Sequence, residues 1–193
     1  GIYLKRKEIR MLVTDNLGSV QIKEVFKISN CENFNEKDLC NEIINLFKKY
    51  KLKGKMKKVS LGIPGVLEEK NDIISEIPSF PQFEKKNLST FLEKKLKLPV
   101  IIENDVNLSL KTLHNMEKYR NYKDLVYFFI ISSNVGGGAI LDGKLYKGFS
   151  NLCGEFAYLG VDREYFEKHK MINSENVEKY FIEKFESKKY EDF

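Results

Sequence analysis

Glu103-Asn104-Asp105-Val106-Asn107 is the part of this 193-residue chain whose residue types and spacing best suit chemistry. Two carboxylates and two amides fall within five positions, between an apolar run and a helical pattern. Pro99, Val100, Ile101 and Ile102 read as a short buried strand entered by a proline. Val106, Leu110 and Leu113 recur at i, i+4 and i+7, which predicts a helix with Asn104 or Asp105 as its N-cap. A carboxylate is thereby set at the tip of a strand and the mouth of a helix, where ligands sit in open α/β sheets. Asp105 there can accept a proton from a hydroxyl as a general base. It can equally be no more than the cap of its helix, and the spacing leaves both readings open.

A second group of candidates follows the apolar run Leu125 to Ile131, where Ser132-Ser133-Asn134-Val135 leads into Gly136-Gly137-Gly138. Three glycines would let backbone N–H groups approach a phosphate or a sugar. A strand packed closely against another element would need them just as much. Pro64-Gly65 and Gly154-Glu155 complete the set.

The elements that must position these residues are legible in order. Residues 1 to 29 read as a β-meander: Ile2 and Leu4, then Ile9 to Val13, then a turn at Asn16-Leu17-Gly18, then Val20 to Phe26. Asn35 caps a helix with Leu39, Ile43, Leu46, Phe47 and Tyr50 on one face. Val59 to Ile63 forms a strand ending at the turn dipeptide Pro64-Gly65. The stretch 66 to 86, with Pro78, Phe80, Pro81 and Phe83, is expected to be irregular. Asn87 or Ser89 opens the next helix. Beyond Leu125, Asp142-Gly143 is a hairpin signal between Ala139–Leu141 and Lys144–Tyr146. Ser174 caps a final helix, and the tail from Ser187 is polar. The strand pattern starting again near residue 124 implies two lobes, 1–118 and a shortened 119–193, with Asp105 near the cleft between them.

Composition narrows the class. The chain is 42% hydrophobic and 32% charged, as expected of a soluble globular protein. No apolar run reaches the length of a membrane span, and no signal-peptide pattern opens the chain. The start at Gly1, already inside a strand pattern, reads as trimmed. Cys31, Cys40 and Cys153 are scattered and lack metal-ligand spacing, which fits a reducing cytoplasm. His114 and His169, the only histidines, read as surface or helix residues and exclude a histidine-rich zinc site. Net charge is +5. Lys48, Lys49, Lys51, Lys53, Lys55, Lys57 and Lys58 form a basic run, but with no arginine and only Tyr50 as an aromatic it reads as a solvated connector rather than a nucleic-acid patch.

Four pieces in order resemble the ROK family of sugar kinases and sugar-responsive repressors. They are Leu61-Gly62-Ile63-Pro64-Gly65, Glu103-Asn104-Asp105-Val106-Asn107, Val135 to Gly143, and Gly154-Glu155. The resemblance covers residues 1 to about 162. It implies an α/β, actin/hexokinase-like (ribonuclease H-like) two-lobe fold, with the second lobe incomplete. In the kinases of that family the aspartate matching Asp105 is the general base acting on the sugar hydroxyl, and the residues matching Gly65, Asn104 and Glu155 lie at the sugar. Ser79 stands where many members have a sugar-contacting asparagine, and Tyr158 where they have a histidine that touches sugar and binds zinc. The cysteine cluster expected after it is absent. The family's Asp-x-Gly-x-Thr phosphate loop aligns with Tyr3, Lys5 and Lys7, which removes the close backbone approach and a site for positioning the metal. Its Gly-Thr-Gly has become Ser132-Ser133-Asn134, so Ser133, Asn134 and Gly136 to Gly138 are a phosphate-loop remnant.

With both phosphate loops altered, no cofactor is expected: neither zinc nor Mg-ATP. The resemblance implies the effector-binding and dimerisation body of a ROK-type transcriptional regulator without its winged-helix DNA-binding domain. Its expected partner is a small sugar or sugar derivative, with DNA reached only through that other domain, no membrane contact, a homodimer left open, and a cytoplasmic location. One alternative is a divergent ATP-dependent hexose kinase using Asp105 as base. Another is an interaction module without a ligand.

Overall fold

Alternation of apolar and polar residues builds the first sheet. A computed structural model describes residues 1–68, 72–131 and 134–156. Strands β1 (Ile2–Lys5) and β2 (Glu8–Thr14) turn Ile2, Leu4, Ile9, Met11 and Val13 inward. They pair antiparallel with Ile2 opposite Met11 and Leu4 opposite Ile9, and β3 (Val20–Lys27) pairs antiparallel with β2. The meander read from residues 1 to 29 is thus present.

Helix α1 (Glu36–Lys49) starts where Asn35 accepts a hydrogen bond from the Lys37 N–H at 2.9 Å and donates its own N–H to Asp38 Oδ2 at 2.9 Å. This reciprocal cap satisfies backbone groups the first turn would otherwise leave unpaired. Leu39, Ile43 and Leu46 are buried on one face. The lysine run after it is a solvated connector: Lys51, Lys53, Lys55, Lys57 and Lys58 are exposed while Leu52 anchors the loop in the core.

Strand β4 (Val59–Ile63) follows. The stretch expected to be irregular contains a short antiparallel pair instead, β5 (Val66–Leu67) with β6 (Ile74–Glu76), and then a 3-10 turn at Pro81–Phe83. Strands of two and three residues are too short to show a periodicity, which is why alternation could not find them. Phe80 and Phe83 are fully buried, 5.6 Å apart between ring centroids and flanked by Phe34. Each such ring contributes about 1.5–3 kcal/mol of burial, so this loop is clamped to the core.

Helix α2 (Leu88–Leu96) is capped by Asn87, which accepts from the Thr90 N–H at 2.8 Å. Strand β7 (Val100–Asn104) then leads directly into α3 (Asp105–Asn115). The five-stranded sheet runs β3-β2-β1-β4-β7, with β4 parallel to both β1 and β7. β7 closes that order at one edge, and its second residue, Ile101, is 53% exposed. The run Val100 to Ile102 is therefore buried on one face rather than on both.

The chain divides into two compact units, Gly1–Leu108 and Ser109–Phe193. Within the second, β8 (Leu125–Ile131), β9 (Asn134–Leu141) and β10 (Lys144–Tyr146) form an antiparallel sheet in the order β10-β9-β8. Asp142 and Gly143 have φ of 49° and 73°, as a two-residue hairpin between Leu141 and Lys144 demands. Ser133, Tyr158, His169 and the helix expected from Ser174 lie outside the described residues. Among those described, no helix is long and apolar enough to cross a membrane.

Candidate functional site

Parallel strands bring the first group of candidates together. In register, Tyr3 of β1 lies beside Gly62 of β4, Gly62 beside Glu103 of β7, and Ile63 beside Asn104. The C-terminal ends of β4 and β7 therefore coincide, and Gly65 and Asp105 leave the sheet at the same edge.

Asn104 performs two tasks there. Its Oδ1 accepts the N–H groups of Val106 at 2.9 Å and Asn107 at 3.0 Å, which makes it the N-cap of α3. Its Nδ2 donates to the Gly65 carbonyl at 3.0 Å and ties the Pro64-Gly65 turn to the helix mouth. A side chain at Gly65 is impossible without movement, because a Cβ would lie 2.5 Å from the Glu76 carbonyl oxygen and 2.9 Å from Ile77 Cβ. Behind this pair, Glu103 is buried and its Oε1 accepts the Asn104 N–H at 3.2 Å and the Asn107 amide at 3.4 Å.

With Asn104 as the N-cap, Asp105 opens the first turn of α3. It is half-buried, and its Oδ1 lies 2.9 Å from the Val106 N–H. Its Oδ2 accepts a hydrogen bond from the Tyr3 hydroxyl at 3.0 Å. Desolvation by burial pushes the Asp105 carboxyl above its ordinary value, against the opposing pull of the Tyr3 hydroxyl and the Val106 N–H. The Tyr3 phenol is raised as well, chiefly by burial and then by the negative charge of Asp105. Tyr3 is thus a neutral donor to Asp105 at neutral pH. The sequence pointed to Tyr3 only as an altered phosphate-loop position; its contact with Asp105 spans 102 residues and has no local signal.

Ser79 is half-buried in the turn before Phe80, in the same unit as Asn104 and Asp105. Glu155 belongs to the second unit, half-buried in a turn in which its N–H reaches the Leu152 carbonyl at 3.3 Å.

The triple glycine does not form the open loop expected of a phosphate cradle. Asn134 and Gly136 to Gly138 lie within β9, paired with β8 so that Gly137 faces Phe128 and Gly138 faces Tyr127. A Cβ on Gly137 would fall 2.4 Å from the Tyr127 carbonyl oxygen and into the Phe156 ring. One on Gly154 would fall 2.0 Å from the Gly137 carbonyl oxygen, and Gly154 has φ +98°. The Phe156 ring and the Tyr127 carbonyl therefore account for the glycine at 137, and the close approach of the Gly137 backbone for the glycine at 154. Among the described residues, no three His, Cys, Asp or Glu side chains converge as a metal site. His114, at the end of α3, is occupied locally: its Nε2 lies 3.0 Å from the Tyr122 carbonyl oxygen.

The chain resembles known proteins in both sequence and fold. The chain is 30% identical over 105 residues to a beta-glucoside kinase of Listeria monocytogenes, covering 54% of this chain and 35% of the kinase. It is 26% identical over 104 residues to a xylose repressor of Bacillus spizizenii, covering 54% of this chain and 26% of the repressor. The matched stretches thus span about a third or less of these relatives. A ROK family transcriptional regulator, a homologue of the Escherichia coli MLC protein, superposes with a TM-score of 0.75 at 15% identity, over 97% of this chain and 50% of that one. A ROK family protein from Streptococcus pneumoniae, solved with sucrose, gives 0.69 at 20% identity, over 95% and 60%. These likenesses establish an actin/hexokinase-like α/β fold, of which this chain covers a part. The ROK family profile matches residues 1–170, and the chain belongs to the ROK family.

Proposed function

We propose that this chain is the effector-binding body of a ROK-type transcriptional regulator, taking a small sugar or sugar derivative and lacking kinase activity. The observation that carries this reading is the Tyr3 hydroxyl on Asp105 Oδ2 at 3.0 Å. Where the resemblance implies a phosphate loop in kinases, this chain carries a phenol engaged with the residue a kinase would use as its base. Lys5 and Lys7 supply neither the glycine nor the hydroxyl of that loop, and Lys5 lies 4.0 Å from Glu8. Phosphoryl transfer rests almost wholly on positioning and charge stabilisation, so these changes weigh against it. The sugar is supported by the names of the relatives, a beta-glucoside kinase and a xylose repressor. The site would use Gly65, Ser79, Asn104 and Asp105, all of the first unit. A cytoplasmic location and a homodimer go with this reading.

One feature favours the kinase as a second reading. Burial raises the Asp105 carboxyl toward the range in which a carboxylate takes a proton from a hydroxyl. Thermal unfolding with hexoses, pentoses and N-acetylated amino sugars, each with and without Mg-ATP, separates the two. Stabilisation by one sugar, unchanged by Mg-ATP, is expected, reaching about 2.7 kcal/mol at a hundredfold excess over Kd. Stabilisation by Mg-ATP, with turnover lost in Asp105→Ala, would establish the kinase. No shift with any sugar would leave a ligand-free interaction module.

A further inference from the structure

The polar atoms around Asp105 are already engaged with one another. Asn104 gives its Oδ1 to the first turn of α3 and its Nδ2 to the Gly65 carbonyl, and Asp105 Oδ2 holds the Tyr3 hydroxyl. A polyhydroxylated ligand that takes a lone pair already engaged at this edge of the sheet must exchange one of these contacts for its own. The exchanges differ in consequence. Releasing Asn104 uncaps a helix and frees the Gly65 turn, whereas releasing Tyr3 breaks one hydrogen bond made by a single rotatable hydroxyl.

Tyr3 is built to reach that oxygen. Its strand β1 is held between β2 and β4, which sets the position of the ring. The neighbouring Gly62 leaves the way to α3 open: a Cβ there would lie 3.7 Å from Tyr3 Cδ2 and 2.9 Å from Leu108 Cδ1. The charges nearest the phenol on the adjoining strand are Arg10 and Glu8, which pair with each other at 2.6 Å. Neither replaces Tyr3 as the donor recorded on Asp105 Oδ2.

We propose that Tyr3 is a displaceable latch on Asp105, whose hydroxyl a ligand hydroxyl must replace on Oδ2, so that Tyr3 sets the affinity of the site. This inference rests on the sugar-binding reading above. It assigns to a strand residue a part in ligand selection: a ligand succeeds only when it presents a hydroxyl to Oδ2 that outcompetes the phenol.

The test uses Tyr3→Phe in the same chain, with far-UV circular dichroism to verify folding. Affinities of both proteins for the monosaccharide that stabilises best are measured by calorimetry, and the Asp105 side-chain carboxyl is titrated by 13C NMR. The expected results are about tenfold tighter binding by Tyr3→Phe and a higher Asp105 midpoint, because the donor that favours the carboxylate is gone. Equal or weaker binding by the variant overturns the latch, the latter making Tyr3 a ligand contact. If no sugar binds either protein, the sugar-binding reading falls. The latch falls with it, since nothing displaces the phenol; where a sugar does bind, an unchanged Asp105 midpoint in Tyr3→Phe overturns the latch alone.

Discussion

Asp105 illustrates how one carboxylate can be placed for recognition at a cost in stability. Burial raises its folded-state pKa above the ordinary 3.8. A group so raised contributes most stability below its unfolded value, and that contribution is lost as pH rises through the folded value. At neutral pH the ionised carboxylate is therefore a strain on the fold, eased by Tyr3 and the Val106 N–H. Asp105→Asn removes the charge and keeps one acceptor oxygen, for the Val106 N–H, while its amide NH2 can donate to the rotatable Tyr3 hydroxyl in place of Oδ2. The variant is expected to melt above the parent at about pH 7, with the difference shrinking toward about pH 3. Thermal melts across that range check it, and an offset independent of pH would refute it. The choice of cap stays open in the sequence because both types cap helices; Asn104 takes the role, its Oδ1 accepting the Val106 and Asn107 N–H groups while its Nδ2 holds Gly65.

At the scale of elements, turns and caps were the most legible features and backbone-to-backbone packing the least. Asn35, Asn87 and Asp142-Gly143 do locally what their residue types announce. The triple glycine announced only a need for space. At Gly137 that space is taken by the Phe156 ring and the Tyr127 carbonyl, and the Gly137 backbone in turn crowds Gly154, which sits at φ +98°. Gly154→Ala combines left-handed strain with a contact of 2.0 Å to the Gly137 carbonyl oxygen. A loss of about 3 kcal/mol is expected, read as a fall in the urea midpoint; a change below about 0.5 kcal/mol, the range of neutral surface substitutions, would mean that the turn and β9 are not packed this way.

For the whole molecule, charge and family membership make distinct statements. The net charge of +5 is concentrated in part on the connector after α1, where five of the seven lysines between 48 and 58 lie beyond the helix. Such a loop attracts phosphate backbones without reading sequence. This chain by itself is expected to bind duplex DNA only weakly, losing binding steeply between low and physiological salt; fluorescence anisotropy on unrelated duplexes checks this, and tight sequence-selective binding would contradict it. Periodicity, caps, turn dipeptides and four ordered motifs sufficed for the meander, the helices α1 to α3, the strands β4 and β7, the hairpin of β9 and β10 and the ROK kinship, because each is a local signal or one repeated along the chain. Tertiary structure alone decided that Ile101 faces outward at a sheet edge, that Phe80 and Phe83 clamp the loop before α2, and that Gly137 serves packing. It alone placed the Tyr3 hydroxyl on Asp105, since strand register and sheet order join residues that no spacing along the chain connects.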